Sequence, residues 1–492
     1  PMPICLDVAE KKAQNLACGQ SLALRDSEGF LLAILKVDDI WEVDKQREAL
    51  AVYGTDNPEK HPGVHYLYNN IHSWYVGGTV EGLHLPLHFD FSELRLPPSE
   101  TYRRFAQKGW RHVIGFHSEK PLHCAHKEMV LRAAREAGAS IFLQPVVGVP
   151  RPGEIDHFTS VRCYQAFVRK FPKNIIDLGL LPLASRKAGP REALWQAIIR
   201  KNYGCSHFVV ADDQADPWAN EGCEERFYPR GKAQEIVEQF QSEIGITMVP
   251  LKRMVYVEDK AQYLPAEAVT PDMSVKHISS AELTRRLEFG LEIPEWFSFP
   301  EVVAELQKAR PPRHKQGFTV FCTGLSGAGK STLAKVLYVK FMEMRDRPVT
   351  LLDGDIVRKN LSNELGYSQE HREINVQRIG FVASEITKNR GIAICAPIAP
   401  YPESRQHNRE LITQYGGYIE VFLSTPFNVC EQRDRKGIYA KAKKGIMKGV
   451  TGVDDPYIPP AKPDIEIDTT EMTPTEAAHE VLLYLEEQGY IR

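Results

Sequence analysis

The sequence predicts an α/β protein of several domains, the last of which is a P-loop nucleotide-binding domain with a parallel sheet. At 492 residues the chain exceeds one ordinary hydrophobic core and suggests about three domains. Strand-like and helix-like segments alternate through the middle of the chain, which is typical of a parallel α/β sheet. A glycine-rich loop at residues 324–331 stands between a strand pattern and a helix pattern, as a phosphate-binding loop requires.

Composition and charge exclude several classes of protein. The chain is 43% hydrophobic and 25% charged, as globular proteins usually are, and its net charge of −3 gives no basic field for nucleic acid. Nine scattered cysteines without a C-x-x-C pair indicate a reduced intracellular protein rather than a disulfide scaffold or a zinc site. No apolar run approaches the roughly 20 residues that span a bilayer, and residues 1–14 lack a signal-peptide core. We therefore expect a cytoplasmic protein without nucleic-acid or membrane partners.

The first two thirds of the chain divide by their patterns. Residues 1–110 contain short β-like runs, such as 21–37, and many turn residues, which favours a separate β-rich domain. Residues 307–316, with two prolines and several basic side chains, indicate an exposed linker. Between them we predict strands at 111–116, 140–149 and 207–211 and helices at 123–139 and 190–202. The predicted domains are 1–110, 111–268 and 313–492, with a small α/β subdomain and linker at 269–312.

The loop at residues 324–331 matches G-x-x-x-x-G-K-[ST]. Its glycines let backbone N–H groups surround phosphate oxygens, Lys330 neutralises β- and γ-phosphate charge, and Ser331 offers a hydroxyl to Mg²⁺. The N-terminal dipole of the helix that starts at Lys330 favours the same phosphates. A glycine-rich turn without a ligand is the alternative, but loop, lysine, hydroxyl and flanking elements agree. The predicted ATP-binding residues of the loop are Gly324, Ser326, Gly327, Ala328, Gly329, Lys330, Ser331 and Thr332.

Two carboxylates follow the next predicted strand, which begins at Val349. Asp353 and Asp355 are expected at the carboxyl edge of the sheet, where open α/β sheets bind their ligands. One of them would help to hold hydrated Mg²⁺, and the other would accept a hydroxyl proton. The alternative is a turn followed by a helix cap.

Two further segments are candidates for anion binding. Arg372, Asn375 and Arg378, spaced by three, share one helical face that suits a phosphate or sulfate, although a solvated charged face is the alternative. Residues 430–437 lead into a Lys- and Gly-rich stretch, 438–452, that is typical of a mobile lid over nucleotide phosphates. The alternative there is an exposed basic loop.

Five motifs occur in order between residues 317 and 492: GLSGAGKST, LLDGDIVR, LGYSQEHREINVQRIG, CEQRDRKGIY and KGVTGVDDPY. This part of the chain resembles adenosine 5′-phosphosulfate (APS) kinase. The resemblance implies transfer of the γ-phosphate of ATP, with Mg²⁺ as the metal, to the 3′-hydroxyl of APS, which yields 3′-phosphoadenosine 5′-phosphosulfate (PAPS). It implies that Asp355 is the base, that Lys330 and Asp353 belong to the catalytic centre, and that Arg433 binds ATP. The implied APS-binding residues are Asp355, Arg358, Tyr367, Arg372, Asn375, Ile398, Lys436, Val450 and Thr451.

Two positions depart from the APS kinase pattern. Val450 stands where the family's lid carries a second stacking aromatic, and Ala399 stands where a serine is usual. Tyr367 is then the remaining aromatic that would stack on the adenine of APS. Loss of one aromatic face forfeits about 1–3 kcal/mol of base stacking. We therefore expect weaker APS binding with intact chemistry.

Four segments upstream of residue 312 carry a second resemblance. They are HPGVHYLY at 61–68, QPVVGVPRPGEIDHFTSVRCY at 144–164, AGPREALWQAIIRKNYGCSHF at 188–208 and IPEWFSFPEVV at 293–303. They resemble ATP sulfurylase, which joins ATP and sulfate to make APS and pyrophosphate. The resemblance implies a PUA-like N-terminal domain followed by a Rossmann-like nucleotidyltransferase domain. Tandem sulfurylase and kinase domains are typical of bifunctional PAPS-forming proteins.

The first site motif of this region has changed its charge. Where the sulfurylase family carries Q-T-R-N-P-x-H-R-A-H, this chain has His117 for the glutamine and Glu119 for the arginine. His123 and His126 are retained at a predicted helix start, where they could still meet an α-phosphate.

The second site motif has changed in the same direction. Where the family carries G-R-D-H-A-G-P, Asp212 replaces the arginine and Gln214 replaces the histidine. One charge pair at contact is worth up to about 4 kcal/mol at an effective dielectric near 20. Two arginine-to-acid changes therefore turn attraction for sulfate and ATP into repulsion. We predict that sulfurylase activity is absent or vestigial and that the two histidines are a remnant pair.

Three functions are compatible with these motifs. The first is an APS kinase, with ATP and APS as its partners, whose sulfurylase-like region is a scaffold for a homo-oligomer, either a dimer or a hexamer. The second is a bifunctional PAPS synthetase with altered sulfurylase chemistry. The third is a regulatory protein that only senses nucleotide, against which the intact Lys330, Ser331 and Asp355 argue.

Overall fold

A computed structural model describes residues 2–148, 155–218 and 226–492 of the chain. Two compact units divide it: Pro1–Leu283 with Ile293–Leu306, and Thr284–Glu292 with Gln307–Arg492. Our finer division of the first unit, at residues 110 and 268, stays a prediction. None of the helices in the described ranges has the length and apolar character needed to cross a bilayer.

Strands in the first unit are mostly short. In chain order they are β1 (Leu6–Val8), β2 (Ser21–Arg25), β3 (Leu31–Glu42), β4 (Trp74–Gly82), β5 (Val113–Phe116), β6 (Ser140–Leu143), β7 (Val146–Val147), β8 (Ile176–Leu178), β9 (Leu181–Pro182), β10 (His207–Val210), β11 (Thr247–Pro250), β12 (Met254–Val257), β13 (Gln262–Pro265) and β14 (Val275–Lys276). The helices up to residue 309 are α1 (Glu10–Ala13), α2 (Lys45–Tyr53), α3 (Pro62–Asn70), α4 (Pro98–Gln107), α5 (Cys124–Glu136), α6 (His157–Val168), α7 (Gly189–Asn202), α8 (Lys232–Ile244), α9 (Ser280–Phe289) and α10 (Pro300–Ala309).

An antiparallel sheet lies near the N-terminus, with the order β1-β4-β3-β2. Along β2, exposed and half-buried side chains alternate, as expected when one face of an antiparallel sheet meets solvent. Helices α1 to α4 accompany this sheet, so the β-like runs of the sequence describe only part of the first 110 residues.

A parallel sheet follows, with the order β11-β10-β5-β6-β8. The predicted strand–helix alternation is therefore confirmed, with shorter elements. The strand predicted at 140–149 forms two separate strands, β6 and β7, and its last residue lies outside the described residues. The helix predicted at 123–139 ends at Glu136, because Gly138 takes the left-handed conformation (φ 58°) that terminates helices.

A second parallel sheet forms the kinase-like unit. Its strands are β15 (Phe318–Gly324), β16 (Val349–Asp353), β17 (Ile392–Ala396), β18 (Gly417–Leu423) and β19 (Ile465–Ile467), in the order β16-β17-β15-β18-β19. Its helices are α11 (Lys330–Met344), α12 (Gly354–Asn360), α13 (Gln369–Lys388), α14 (Pro402–Thr413), α15 (Phe427–Arg433), α16 (Ile438–Lys443) and α17 (Pro474–Glu487). All residues of β15 and β17 are buried, as expected for inner strands of a parallel sheet that is covered on both faces.

Helices cover both faces of this sheet. Alternate residues of β15 point to opposite faces, so Val320 packs in one core with α11 and α17, while Phe321 packs in another with α13. The predicted linker at 307–316 begins later than expected, because α10 continues to Ala309. That helix buries Val302 and Leu306 and stops just before the Pro311–Pro312 pair, since a residue before proline disfavours helix.

Helices α13 and α14 approach closely at Gly380. The buried Asn408 donates from Nδ2 to the carbonyl oxygen of Val376 at 2.9 Å. A Cβ on Gly380 would lie only 1.9 Å from Oδ1 of Asn408. The absence of a side chain at Gly380 is therefore what lets the two helices pack.

We expect Gly380→Ala to lower the free energy of unfolding of the kinase-like unit by about 1–3 kcal/mol, because the added methyl overpacks this contact. The measurement is the midpoint of the unfolding transition of this unit in chemical denaturant. Asn408→Ala supplies the matched background, since Gly380→Ala should cost much less there. Equal costs in both backgrounds would contradict the steric explanation.

Candidate functional site

The candidate site lies at the carboxyl edge of the kinase-like sheet. Because β15, β16, β17 and β18 are parallel, the loops that follow them meet at one edge. These loops contain the glycine-rich segment, the two aspartates and the turn at Ile398–Ala399. The turn is tied to the loop strand, since the carbonyl oxygen of Ile398 accepts from Thr323 Oγ1 at 2.7 Å and from Gly324 N at 3.3 Å.

The glycine-rich loop has a conformation that needs glycine. Gly327 has φ 83°, and a Cβ there would lie 2.6 Å from the carbonyl oxygen of Cys430. The buried carbonyl of Ala328 accepts a hydrogen bond from Thr469 Oγ1 at 3.0 Å. Arg433 holds that threonine through its Oγ1 at 2.7 Å and its carbonyl oxygen at 2.6 Å. Arg433, a predicted ATP-binding residue, therefore contacts the loop indirectly, through Thr469.

Lys330 folds back onto its own loop. Its Nζ donates to the carbonyl oxygens of Gly324 at 2.9 Å and Leu325 at 2.7 Å. The residue is only 7% exposed, and burial lowers the pKa of its ammonium to about 8. The lysine thus lies at the N-terminus of α11, beside Ser331, where a bound anion would raise that pKa again.

The two aspartates after β16 have different environments. Asp353 is buried, and its Oδ1 accepts from the backbone N–H of Asp355 at 3.0 Å, which caps α12. The carboxylate of Asp355 is exposed and forms an ion pair with Lys436. Asp353 therefore caps α12, while Asp355 is brought together with Lys436 of the lid, which comprises residues 430–455.

An exposed aromatic ring lies beside this edge. The guanidinium of Arg358 donates to the carbonyl oxygens of Leu365 at 3.0 Å and Gly366 at 2.8 Å. It also lies 4.3 Å from the ring centroid of Tyr367, a cation–π contact. Tyr367 is 65% exposed, so its ring is available for stacking.

The predicted anion-binding face on α13 is split. Arg372 contacts the lid through Asp455, Thr451 and Gly449. Asn375 is buried, and its Oδ1 has no hydrogen-bond partner among the described residues. Arg378 instead donates to Leu361 and Glu364, both at 2.6 Å, in an exposed position. The solvated alternative therefore describes Arg378.

The lid contacts the phosphate loop. Asp434 caps α16 by accepting from the N–H groups of Ile438 at 2.8 Å and Ala440 at 2.9 Å. The hydroxyl of Tyr439 then donates to the carbonyl oxygen of Ser326 at 2.8 Å. Val450 is only 5% exposed and packs in the apolar core of the unit, so its side chain offers little surface to a ligand.

Sequence reasoning missed three residues of this edge: Tyr439, Thr469 and Asp455. Tyr439 lies within the quoted CEQRDRKGIY motif and Asp455 within KGVTGVDDPY, but neither motif reveals what the side chain contacts. Thr469 lies beyond every quoted motif, so no sequence signal pointed to it.

The sulfurylase-like region carries its own group of predicted site residues. Glu119 forms an ion pair with Lys187, and its Oε1 lies 3.7 Å from Nε2 of His117. Although burial raises the pKa of Glu119, His117 and Lys187 together lower it well below its usual value. Burial lowers the pKa of His117, whose Nδ1 lies 3.2 Å from Nη2 of the buried Arg200. The carboxylate of Glu119 is therefore ionised, and the ammonium of Lys187 is its cationic partner.

The two retained histidines lie at the start of α5. His123 Nδ1 lies 2.8 Å from Ser298 Oγ, and its backbone N–H donates to Nδ1 of His126 at 3.1 Å. Burial, with a smaller effect of His126, lowers the pKa of His123 to about 3. His123 is thus uncharged at neutral pH.

At its two changed positions, the second sulfurylase motif carries a carboxylate, Asp212, and a neutral amide, Gln214. The carboxylate of Asp212 lies 3.8 Å from Nη1 of Arg230, with both side chains exposed. Gln214 is buried and donates to Gln196 Oε1 at 2.7 Å. Across the described ranges, no group of three or more His, Cys, Asp or Glu side chains is placed to hold a metal ion.

Three family models match successive parts of the chain. A PUA-like domain matches residues 1–85, ATP-sulfurylase matches 92–309, and adenylylsulphate kinase matches 316–468. The chain therefore carries an APS kinase domain behind a sulfurylase-type region, as the motifs predicted.

Similar proteins align with this chain over most of their length. The sulfate adenylyltransferase of Phaeosphaeria nodorum is 46% identical over 494 residues, covering 100% of this chain and 86% of that protein. The sulfate adenylyltransferase of Aspergillus fumigatus is 46% identical, covering 99% of this chain and 85% of that protein. The hexameric APS kinase from Thiobacillus denitrificans is 40% identical with a TM-score of 0.79, covering 100% of this chain and 84% of that one. The chain belongs to the sulfate adenylyltransferase family, and it joins an ATP-sulfurylase region to a C-terminal APS kinase domain.

Proposed function

We propose that this protein transfers the γ-phosphate of ATP to the 3′-hydroxyl of APS and forms PAPS and ADP. The observation that carries the proposal is the ion pair between Asp355 and Lys436. This ion pair joins the carboxylate that we propose as the base to the lid. Both lie at the edge of the sheet where the phosphate loop follows β15. The APS kinase domain matched at residues 316–468 contains both side chains.

ATP would bind along the loop that precedes α11. The backbone N–H groups of residues 324–331 would surround its phosphates, and Lys330 would exchange its two carbonyl partners for phosphate oxygens. Ser331 and the buried Asp353 offer hard oxygen donors that suit Mg²⁺, which would neutralise charge on the phosphates. Asp355 would take the proton of the 3′-hydroxyl of APS while the hydroxyl oxygen attacks the γ-phosphorus of ATP and ADP leaves.

APS would lie against Tyr367. The exposed ring offers one face for the adenine, and the guanidinium of Arg358 lies against the tyrosine. The buried Oδ1 of Asn375, without a partner among the described residues, suits a hydroxyl donor of the ligand. Burial of Val450 supports the expectation that the lid adds no second stacking face.

We further infer that the sulfurylase reaction is absent or vestigial. Sulfate and ATP are anions, yet the position of a family arginine carries Glu119, whose ion pair uses the cation of Lys187. Asp212 adds a second carboxylate, and the uncharged His123 provides no cation for a phosphate. The net change opposes anion binding by several kcal/mol, even when severalfold screening is allowed for.

A bifunctional PAPS synthetase is the second candidate. Relatives that are 46% identical are named sulfate adenylyltransferase, and His123 and His126 remain at the start of α5. A working sulfurylase site would then use a different set of cations from the one in the family motifs.

We also propose a homo-oligomer in which the sulfurylase-like region is a scaffold. The similar chain from Thiobacillus denitrificans is described as a hexameric APS kinase, and it covers this chain completely. Light scattering of the full chain distinguishes a monomer, a dimer and a hexamer.

Replacement of the proposed base should stop turnover and spare ATP binding. We expect Asp355→Ala to reduce PAPS formation from APS and Mg-ATP by about 10²–10⁴-fold, because no group then accepts the hydroxyl proton. The affinity for ATP, measured by calorimetry, should stay within about twofold. Glu343→Ala, at an exposed site on α11, is the control and should leave both quantities unchanged. Unchanged turnover in Asp355→Ala would remove this residue as the base.

The two candidate functions differ in a sulfurylase assay. With ATP and molybdate, an active sulfurylase site releases AMP, whereas we expect no release from this protein because its site carries acidic replacements. A sulfurylase of known activity serves as the positive control. Release by the wild type that is lost in His123→Ala would instead support the bifunctional function.

The depressed pKa of Lys330 predicts a proton linkage. Since the ammonium titrates near pH 8 without a ligand, and phosphates raise its pKa, ATP binding should take up about half a proton per site at pH 8. The uptake should fall towards zero at pH 6.5, where the free lysine is already charged. Calorimetry in buffers of different ionisation enthalpy measures it, and Lys330→Gln should remove it. A pH-independent uptake would show that another group is responsible.

A further inference from the structure

A junction of three segments lies next to the proposed APS site. The lid segment 449–455, the N-terminal end of α13 and the turn after β17 meet at the carboxylate of Asp455. We propose that Asp455 is a positioning residue for APS recognition, which holds the guanidinium of Arg372 and, through it, the Tyr367 backbone in one place. This inference rests on the proposed kinase function.

Arg372 is committed to internal contacts on all sides. Its Nε donates to the carbonyl oxygen of Tyr367 at 2.9 Å, and its Nη1 donates to Oδ2 of Asp455 at 2.7 Å. Nη1 also contacts Thr451 Oγ1, and Nη2 contacts the carbonyl oxygen of Gly449. With 11% of the side chain exposed, this cation needs its counter-charge, because a poorly solvated charge without a partner is costly.

Asp455 supplies that charge and two further links. Its Oδ1 accepts from the hydroxyl of Tyr401 at 2.8 Å, and its Oδ2 accepts from Thr451 at 3.3 Å. Burial, together with the bond to Asp455, raises the pKa of Tyr401 to about 12, so the phenol remains a donor at neutral pH. The carboxylate therefore joins the lid to α13 through Arg372 and to the turn after β17 through Tyr401.

The neighbouring Asp454 has a different, local task. Its carboxylate accepts from the backbone N–H groups of Gly449 at 2.6 Å and Val450 at 2.5 Å, which closes the lid loop on itself. Asp454 thus shapes the loop, whereas Asp455 connects the loop to the rest of the unit. On the same helix as Arg372, Glu373 accepts a hydrogen bond from Gln369 at 2.9 Å.

The junction adjoins the APS side of the edge and not the ATP side. Tyr367, the proposed stacking ring, receives Arg372 on its own carbonyl oxygen. The phosphate loop is held by other residues, namely Tyr439 on Ser326 and Thr469 on Ala328. Loss of Asp455 should therefore loosen the APS wall and leave the ATP loop in place.

The test is Asp455→Asn in the full chain, which keeps an acceptor for Tyr401 and removes the charge. We expect the KM for APS to rise about tenfold or more, with the KM for ATP within about twofold of the wild type. Glu370→Gln is the matched control, because it makes the same carboxylate-to-amide change at an exposed position two residues before Arg372 on α13, and it should leave both values unchanged. Tyr401→Phe removes one hydrogen bond without a charge and should raise the KM for APS by a smaller factor.

The outcomes separate this inference from the proposed function. Equal increases in the KM for APS and for ATP, or a loss of thermal stability with unchanged KM values, would overturn the positioning role while the kinase function stands. If Asp455→Asn does not fold, an unchanged KM for APS in Tyr401→Phe overturns it. A wild type that forms no PAPS from APS and Mg-ATP would refute the proposed function itself, and this inference with it.

Discussion

The buried ammonium of Lys330 depends on the carbonyl oxygens of the loop that precedes it. β15 is buried along its whole length and delivers the chain to the carboxyl edge of the sheet. There the glycine-rich loop curves so that the carbonyl oxygens of Gly324 and Leu325 accept hydrogen bonds from the ammonium of Lys330. The lid adds a contact through Tyr439, and the segment after β19 adds another through Thr469. The loop is therefore preorganised by the sheet beneath it and by two later segments, which limits the reorganisation that phosphate binding requires.

The two aspartates of the LLDGDIVR motif lie in different environments. Asp353 is buried and tied to a backbone N–H, which keeps its position fixed at the end of β16. Asp355 is exposed and forms an ion pair with Lys436, which is distant in sequence. A buried, fixed carboxylate suits a metal-bound phosphate site, and an accessible carboxylate suits proton transfer. Residue type alone is the same in both.

In the sulfurylase-like region, the acidic side chain at the first changed motif position is paired with a lysine of the same region. Glu119 has reversed the charge expected at its position, and Lys187 now lies against it. The cationic partner of this carboxylate therefore comes from within the chain. The buried Arg200 lies behind this pair, with His117 and the carbonyl oxygen of Gln144 as its partners. The parallel sheet of this region has the order β11-β10-β5-β6-β8.

By itself the sequence determined the P-loop, the alternation of strands and helices and the domain order, because these depend on local patterns and on motifs in a fixed sequence. The mainly apolar sequence before the loop predicted that β15 is buried, and the spacing of the glycines predicted a phosphate-binding loop after it. Only the tertiary structure decided that Arg378 lies apart from Arg372 in an exposed ion pair, that Val450 is buried, and that Asp455 joins three segments. Those facts depend on contacts between residues that are distant in the chain, such as the bond between Arg372 and Asp455, which are 83 positions apart. Helical spacing fixes which side chains share a face, but the partner of each charge is set by the packing of distant segments.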